Sequence, residues 1–532
     1  MNKKVFFAIL VFIMLSSIIK AQEKPSRDWF HLSNQIEIYN TNLSGPGAKQ
    51  SSLTTGTHFI DLLNLNVIGS DFSYNLGFKA TDDRTKDIKD YTLTNLGFRL
   101  TKGPYALNCG DTYESFTQYT NNSLLKGFSL KYSNPVDNFT EVTVLYGVDI
   151  PRWDSFSKEQ GLGVTRKDAW GLRGRYDFRN GLSFGITGIK SADNNFVRVS
   201  TNTSDILYKN TVCSVDAEYT PLEGLTFKTE VARSISSEFV YMSTTSLTDF
   251  SGNAFMFKTV GDTTLGKITL EYENISPEFL TLLGSATKDR EKIKLFWKLN
   301  VGKKLNIFFN YLGHRNNLDG TGITTKNSRP EIGCSMMKLF RRQYSNIDIR
   351  FQFENQSSAG SETMNNTLNL NYRDRFFGSL DNETTILLAN YTTSSNIRNS
   401  VESVVTTLFR KRYTKGSYAV RPLVEFSGWT REDKISSITD TRIGFGAGFD
   451  FEIPIYKFNS TIKINQSNFS PQKGDSMITT GFNLQLNYRL SLKPFFNYGL
   501  VFIRIVSNDY KSSNESNSFR EDTASAGLNI EF

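Results

Sequence analysis

The chain has 532 residues, of which 13% are aromatic and 21% are charged, and its formal net charge is +8. The mean hydropathy is −0.35, and beyond the N-terminus no apolar run reaches the roughly 18 residues of a membrane-spanning helix. This composition excludes a helical membrane protein but allows a membrane barrel, because half of each barrel strand faces a polar lumen. The positive charge forms no concentrated Lys/Arg block, so we expect no nucleic-acid partner.

The first 21 residues have the pattern of a secretory signal peptide. Two lysines near the start precede the apolar run 5–19, and Ala21 offers a small residue at the cleavage point. A membrane anchor is the alternative, but the run is short and Lys20 ends it. We therefore expect Sec-type export, cleavage near Ala21 and a mature barrel domain over 22–532.

From Trp29 onward, apolar and polar residues alternate in segments of about ten residues, the length that a tilted strand needs to cross a bilayer. In one such segment Ile293, Leu295 and Trp297 lie on the face opposite Lys292, Lys294 and Lys298. Seven segments precede residue 148 and nineteen follow it, and the weakest strand predictions are 105–110 and 254–260. We predict an all-β fold, a single transmembrane antiparallel up-and-down β-barrel of about 26 strands, with 24 to 28 as the accepted range.

A soluble β-sandwich also alternates, but two features favour the barrel. Short connections such as 178–181 alternate with long polar ones such as 273–290 and 428–441, as expected for short periplasmic turns and long extracellular loops. Strands that enter the short turns end in aromatic residues, which gather at membrane interfaces. These aromatic residues are Tyr132, Phe178, Tyr219, Tyr372, Phe451, Tyr488 and Phe532. We also expect no plug domain of the kind found in TonB-dependent transporters, because the strand pattern begins almost directly after the predicted leader.

One stretch, 110–127, departs from the strand pattern. It begins Gly-Asp, carries aromatic residues at 113, 116 and 119, and ends Leu-Lys-Gly, and 276–291 looks like a second element of the same kind. With the leader and the barrel pattern, these stretches resemble an uncharacterised, porin-like outer-membrane β-barrel family of Gram-negative bacteria. The resemblance implies a fold and a location and carries no known activity. The loop could fold inward and narrow a pore, with Asp111, Tyr113, Phe116 and Tyr119 as its constriction residues, or it could pack over the rim.

Charged residues on the polar strand faces should line the lumen. A polar wall needs such residues simply to contact water, although the run of lysines at 292, 294 and 298 could also attract anions. The lumen-lining candidates are Arg173, Arg175, Lys292, Lys294, Lys298, Arg350, Arg442 and Arg489.

Residues suited to catalysis are scarce. The chain has only three histidines, and His314 near Arg315 and Asp319 is the only one worth weighing as a base. No metal-spaced His/Cys cluster, Walker-type loop or nucleophile elbow is present in the sequence. We therefore expect no enzymatic activity and no cofactor.

The last ten residues form an amphipathic strand that ends on an aromatic residue. Leu528, Ile530 and Phe532 share its apolar face. This segment resembles the C-terminal signal of Gram-negative outer-membrane barrels, which their assembly machinery recognises. The resemblance implies that this machinery and outer-membrane lipids are partners and that the cell outer membrane is the location.

Two functions remain open from the sequence. One is a pore or transport channel for solutes, with a lumen narrowed by loops or by a partner. The alternative is the barrel of a secretion, export or outer-membrane assembly machine that works with a periplasmic or lipoprotein partner. An unobstructed barrel of this size would leak, since 22-stranded transporters already carry a plug.

Overall fold

The computed structural model describes residues 30–134, 140–150, 152–153, 166–178, 180–194, 206–240, 246–339, 342–377, 379–394, 397–490 and 498–532. The predicted signal peptide and its cleavage point at Ala21 lie outside these residues. Alternating apolar and polar residues form strands throughout, because each strand places its successive side chains on opposite faces. The strands are β1 (Phe30–Ser44), β2 (Gly56–Ile68), β3 (Phe72–Thr81), β4 (Tyr91–Lys102), β5 (Tyr105–Tyr113), β6 (Leu124–Asn134), β7 (Thr140–Asp149), β8 (Arg166–Asp177), β9 (Leu182–Asn194), β10 (Ile206–Leu222), β11 (Leu225–Val240), β12 (Ser246–Thr263), β13 (Gly266–Ile275), β14 (Arg290–Val301), β15 (Leu305–Arg315), β16 (Thr325–Met337), β17 (Asn346–Ser358), β18 (Ser361–Phe376), β19 (Leu380–Thr393), β20 (Asn399–Lys411), β21 (Tyr413–Lys415), β22 (Tyr418–Asp433), β23 (Ile438–Ile453), β24 (Phe458–Ser470), β25 (Met477–Leu490), β26 (Tyr498–Ser512) and β27 (Phe519–Glu531).

The strands form one closed antiparallel barrel, because β1 pairs with both β2 and β27. The short β21 continues β20 beyond Arg412 and pairs with the same neighbour, β22, so the wall has 26 strands. The predicted strand number is confirmed, with seven strands up to Asp149 and nineteen after it. Both weak strand predictions are also confirmed, as β5 and β12.

The break between β20 and β21 has a local cause. The register of the flanking pairs places Pro422 of β22 opposite Lys411, next to the break, and a proline has no N–H to donate to a β-ladder. Pairing of β20 with β22 ends at Arg410 opposite Leu423, and pairing of β21 resumes at Tyr413 opposite Val420. Arg412 is therefore left outside the ladder.

The two faces of the wall differ in chemistry. One face exposes large apolar side chains, among them Trp170 (57% exposed), Ile235 (58%) and Ile443 (70%). The other face carries charged residues that pair across strands, such as Lys292 with Glu271 at 2.6 Å. We assign the apolar face to the exterior and the charged face to the lumen, as in barrels that enclose a polar interior.

Connections at the two rims differ in length mainly in the first half of the chain. At the rim that holds the connections 82–90, 114–123 and 276–289, called the long-loop rim, several strands extend into segments predicted as loops. The predicted loop 428–441 is reduced to 434–437, and the connection 359–360 has only two residues. The opposite, short-turn rim holds turns such as 223–224 and 416–417. Among the described residues, no helix is long and apolar enough to cross a membrane.

Candidate functional site in the barrel lumen

Two connections from the long-loop rim fold against each other inside the barrel. These are 114–123, between β5 and β6, and 276–289, between β13 and β14, and together we call them the inner body. The ring of Tyr119 meets the ring of Phe279 edge to face, with centroids 5.7 Å apart. The Asn122 amide donates to the Leu283 carbonyl at 2.9 Å, and the Ser285 amide donates to the Gln118 carbonyl at 3.0 Å. The two loops are thus joined by both backbone and aromatic contacts.

The inner body covers an apolar patch on the lumen face of the wall. Its Tyr119 (0% exposed), Phe279 (1%) and Leu283 (1%) are almost fully buried there. The patch takes one residue from each of eight adjacent strands, β6 to β13. Burial of these apolar side chains favours the inward position of the loops. The patch residues are Leu125, Leu145, Ala169, Ile189, Val212, Ala232, Ala254 and Ile275.

A buried carboxylate anchors the polar side of the inner body. Glu273, 1% exposed, lies on β13 and accepts hydrogen bonds from the side-chain amide of Gln118 at 3.2 Å and from the Tyr119 hydroxyl at 3.3 Å. It also pairs with Arg290 at 2.8 Å and Lys292 at 3.3 Å. Since a buried charge is tolerated only when it is paired and hydrogen-bonded, releasing the loops would remove two of the partners that satisfy Glu273.

The Gly-Asp and Leu-Lys-Gly motifs meet at the base of the first loop. Gly110 lies directly opposite Gly127, and Asp111 lies opposite Lys126. The Lys126 ammonium contacts the Asp111 carboxylate at 2.9 Å, and Asp111 also accepts from the Leu96 amide at 2.7 Å and the Trp153 indole at 3.0 Å. The motif therefore fixes the hairpin from which the first loop projects.

A glycine on β12 allows the second loop to approach the wall. A Cβ atom at Gly252 would lie 2.2 Å from the Phe279 nitrogen and 2.5 Å from the Glu278 carbonyl carbon. Any larger side chain would therefore overlap the loop backbone. The position of the second loop depends on this absence of a side chain.

The inner body is too small to cross the lumen. Twenty-six strands about 4.8 Å apart and tilted by about 40° give a perimeter near ~160 Å and, for a circular outline, a width of about 50 Å between backbones. A 14-residue loop that leaves and returns to the wall reaches at most about 24 Å. The inner body therefore narrows the lumen from the β5–β14 side and leaves the opposite wall uncovered by these two loops.

The predicted constriction residues lie in two environments. Phe116 (8% exposed) and Tyr119 belong to the inner body. Asp111 is held at the hairpin base, and Tyr113 is 58% exposed, with its hydroxyl donating to Asn122 at 2.8 Å.

The predicted lumen residues are distributed around the charged face. Arg173 donates to both carboxylate oxygens of Asp216, at 2.9 and 3.0 Å, and Arg175 donates to Asp177 at 2.8 Å. Lys292 is paired with glutamates beneath the inner body, whereas Lys294 and Lys298 on the same strand are exposed. The remaining three stack on aromatic rings: Arg350 on Phe308, Arg442 on Trp429 and Phe469, and Arg489 on Tyr498.

The predicted insertion residues lie on the closing strand. Leu528 and Ile530 are on β27 and pair with Ile36 and Asn34 of β1, and the Phe532 amide donates to the Leu32 carbonyl at 2.9 Å. The segment expected to direct insertion is therefore also the segment that closes the barrel.

Sequence reasoning missed two features of the lumen. One is the apolar patch, whose signal is a local failure of alternation, as where Leu145 follows Val144. The other is a recess of about 560 Å³ near the short-turn rim, lined by Arg375, Ser379, Asp381, Arg410, Arg412, Arg421 and Asp450. The described residues contain no His/Cys/Asp/Glu group suited to a metal ion. His314, on β15, lies opposite Lys292 of β14.

A separate set of contacts joins two outer connections near β1. Asp83 accepts hydrogen bonds from the Tyr39 hydroxyl, the Thr54 hydroxyl at 3.2 Å, and the amide and hydroxyl of Thr85 at 2.8 and 2.7 Å. Burial disfavours its ionisation, but these hydrogen bonds outweigh burial and lower the pKa of Asp83 from 3.8 to about 2. Ionised Asp83 thus holds the connection 82–90 to Thr54.

No protein-family model and no curated protein sequence matches the chain. Solved structures do match, and their likeness concerns the fold alone. A chain of the Escherichia coli P pilus tip assembly intermediate PapC-PapD-PapK-PapG matches at a TM-score of 0.48 and 9% identity, over 95% of this chain and 62% of that chain. Our chain therefore spans less than two thirds of the length of that protein.

Two further matches come from Escherichia coli and Pseudomonas aeruginosa. The outer-membrane transporter YddB from Escherichia coli matches at a TM-score of 0.40 and 8% identity, over 95% of this chain and 81% of that chain. OpdK from Pseudomonas aeruginosa, solved with vanillate, matches at a TM-score of 0.31 and 8% identity, over 62% of this chain and 94% of that chain. The class that the fold itself defines is a large closed antiparallel β-barrel.

Proposed function

We propose that the protein is an outer-membrane channel for solutes, with a lumen that the inner body narrows from one side. The observation that carries this proposal is the closed barrel with an apolar exterior and a charged lumen, of which the inner body covers a single sector. The opposite wall, from β15 to β27, remains available to line an aqueous path.

The exterior supports a membrane location. Apolar side chains such as Leu172 (51% exposed), Ile186 (56%) and Val231 (55%) have no protein partner that covers them, and water would disfavour so large an apolar surface. Toward the short-turn rim the exterior carries aromatic rings, with the rings of Tyr105 and Tyr132 5.2 Å apart. Aromatic belts of this kind mark the boundary between lipid and water.

The lumen supports conduction. Its charges are mostly paired, as in Lys228–Glu218 at 3.0 Å and Lys463–Glu425 at 2.7 Å, so the wall is hydrated without a large excess of one sign. Ions and small solutes can pass along such a wall. The inner body is held against one side by hydrogen bonds and buried aromatic rings, so it narrows this path without closing it.

Single-channel recording of the purified protein in planar bilayers tests the proposal. We expect a steady conductance from the protein alone and a larger conductance when residues 112–122 are deleted, because the deletion removes the first loop of the inner body. Deletion variants should also sensitise cells to large antibiotics. A pure, folded protein that conducts only after a bound partner is removed would refute the channel and favour an export or assembly barrel.

A further inference from the structure

The recess near the short-turn rim concentrates arginine side chains on the lumen face. Arg375 lies at the end of β18, Arg412 precedes the turn 416–417 and Arg421 follows that turn. Cross-strand register places these residues side by side, since Asp381 lies opposite Arg410 and Arg421 lies opposite Asp450. The recess thus spans β18 to β23, on the wall that the inner body leaves uncovered.

Three guanidinium groups in the recess are not hydrogen-bonded to any carboxylate among the described residues. Arg410 lies 3.6 Å from Glu383, and Arg412 and Arg421 each lie 3.9 Å from Glu452. These separations exceed hydrogen-bonding distance. By contrast, Arg375 donates to Asp381 at 2.7 Å, and Arg373 holds Glu383 at 2.9 Å.

The backbone explains why Arg412 can face the recess. It occupies the gap between β20 and β21, where pairing with β22 stops at Arg410 and resumes at Tyr413, so the register places it opposite Arg421. Its side chain and those of Arg410 and Arg421 are about half exposed to the lumen, at 55%, 49% and 44%. They are therefore open to a solute in the lumen.

The local charge is positive but modest. Five arginines (373, 375, 410, 412 and 421) stand against four carboxylates (Asp381, Glu383, Asp450 and Glu452). The excess of +1 would attract anions weakly by itself. The donors matter more, because each guanidinium presents a planar fork of N–H groups that matches the oxygens of a carboxylate or phosphate.

The geometry points to a binding site in this recess for small anionic solutes that carry a phosphate or carboxylate group, recognised by Arg410, Arg412 and Arg421. The inference rests on the proposed channel function and deepens it, because it gives the channel a preference among solutes. Arg375 takes a positioning role, since its bond to Asp381 holds that carboxylate away from the three open guanidinium groups.

Calorimetric titration of the full-length, detergent-solubilised protein with inorganic phosphate, at constant ionic strength, tests this site. We expect saturable binding that weakens at least tenfold in the triple variant Arg410→Gln, Arg412→Gln, Arg421→Gln. The matched control is a second triple variant, Arg350→Gln, Arg442→Gln, Arg489→Gln, which removes the same number of positive charges elsewhere in the lumen. It should keep the affinity for phosphate within about twofold. Heat-modifiable migration on gels confirms that each variant is folded.

Two results would overturn the site. One is no saturable phosphate binding by the unmodified protein; the other is an equal loss of affinity in both triple variants, which would indicate general charge attraction. Potassium chloride conductance in bilayers is measured on the same preparations. Conductance without specific phosphate binding refutes the anion-binding site in the recess and leaves the channel function standing. Absence of conductance refutes the channel function itself.

Discussion

Tyr119 provides the sharpest test of the inner body. Its side chain is fully buried between Phe279 and the apolar patch, and its hydroxyl donates to Glu273. Truncation of a buried aromatic side chain costs about 3–5 kcal/mol. A loss of 3 kcal/mol raises the ratio of released to docked loops by roughly 150-fold. We therefore expect Tyr119→Ala to release the inner body while the barrel, which is held by its own ladder, stays closed.

The matched control is Tyr113→Ala in the same loop. Tyr113 is 58% exposed, so its truncation should change stability by no more than about 0.5 kcal/mol. Hydrogen exchange at the Asn122 and Ser285 amides reports docking directly, because both donate across the two loops. Exchange should accelerate about 100-fold in Tyr119→Ala and hardly at all in Tyr113→Ala. Equal exchange in the two variants would refute the idea that Tyr119 holds the loops inward.

Three other sites give further predictions. Gly252→Val should expel the second loop and speed exchange at Ser285, because its Cβ would overlap the Phe279 backbone, whereas Gly174→Val, where a Cβ has nothing within 4 Å, should not. Deleting Phe532, or changing Leu528 and Ile530 to Asp, should lower heat-modifiable protein in outer-membrane fractions, while Asn529→Asp on the lumen face should not. The stability that Asp83 gives to the docked connection 82–90 should be complete above about pH 4 and lost as the pH falls toward 2, because its folded pKa of about 2 lies below the ordinary 3.8. Proteolysis within 82–90 should therefore rise over that range. The variant Asp83→Asn should remove this pH dependence.

The barrel was predictable because its signal is repeated. Each strand such as β14 must place Ile293 and Trp297 on one face and Lys294 and Lys298 on the other, and the same pattern recurs throughout the chain. Closure followed from an even strand number and from the final strand, which pairs with β1 as β27. Loop lengths were less predictable, since polar strand extensions beyond the apolar zone look like loops in sequence.

The site was only partly predictable. The stretch 110–127 and its counterpart 276–291 stood out, but nothing in the sequence showed that Tyr119 would meet Phe279, because these contacts join segments about 160 residues apart. The apolar patch required the three-dimensional register of eight strands. The arginine recess was missed because Arg410, Arg412 and Arg421 come together only across β20 to β22, and because a proline breaks the ladder there.

Cysteine accessibility along β14 tests most directly which face of the barrel wall is turned to lipid and which to water. In a background with Cys109, Cys213 and Cys334 replaced by serine, single cysteines are placed at 294, 295, 297 and 298 and exposed to a water-soluble maleimide in outer membranes. We expect Lys294→Cys and Lys298→Cys to react, because they face an aqueous lumen, and Leu295→Cys and Trp297→Cys to be shielded by lipid. Reaction at 295 and 297 with protection at 294 and 298 would contradict the assignment of the two faces and, with it, the channel.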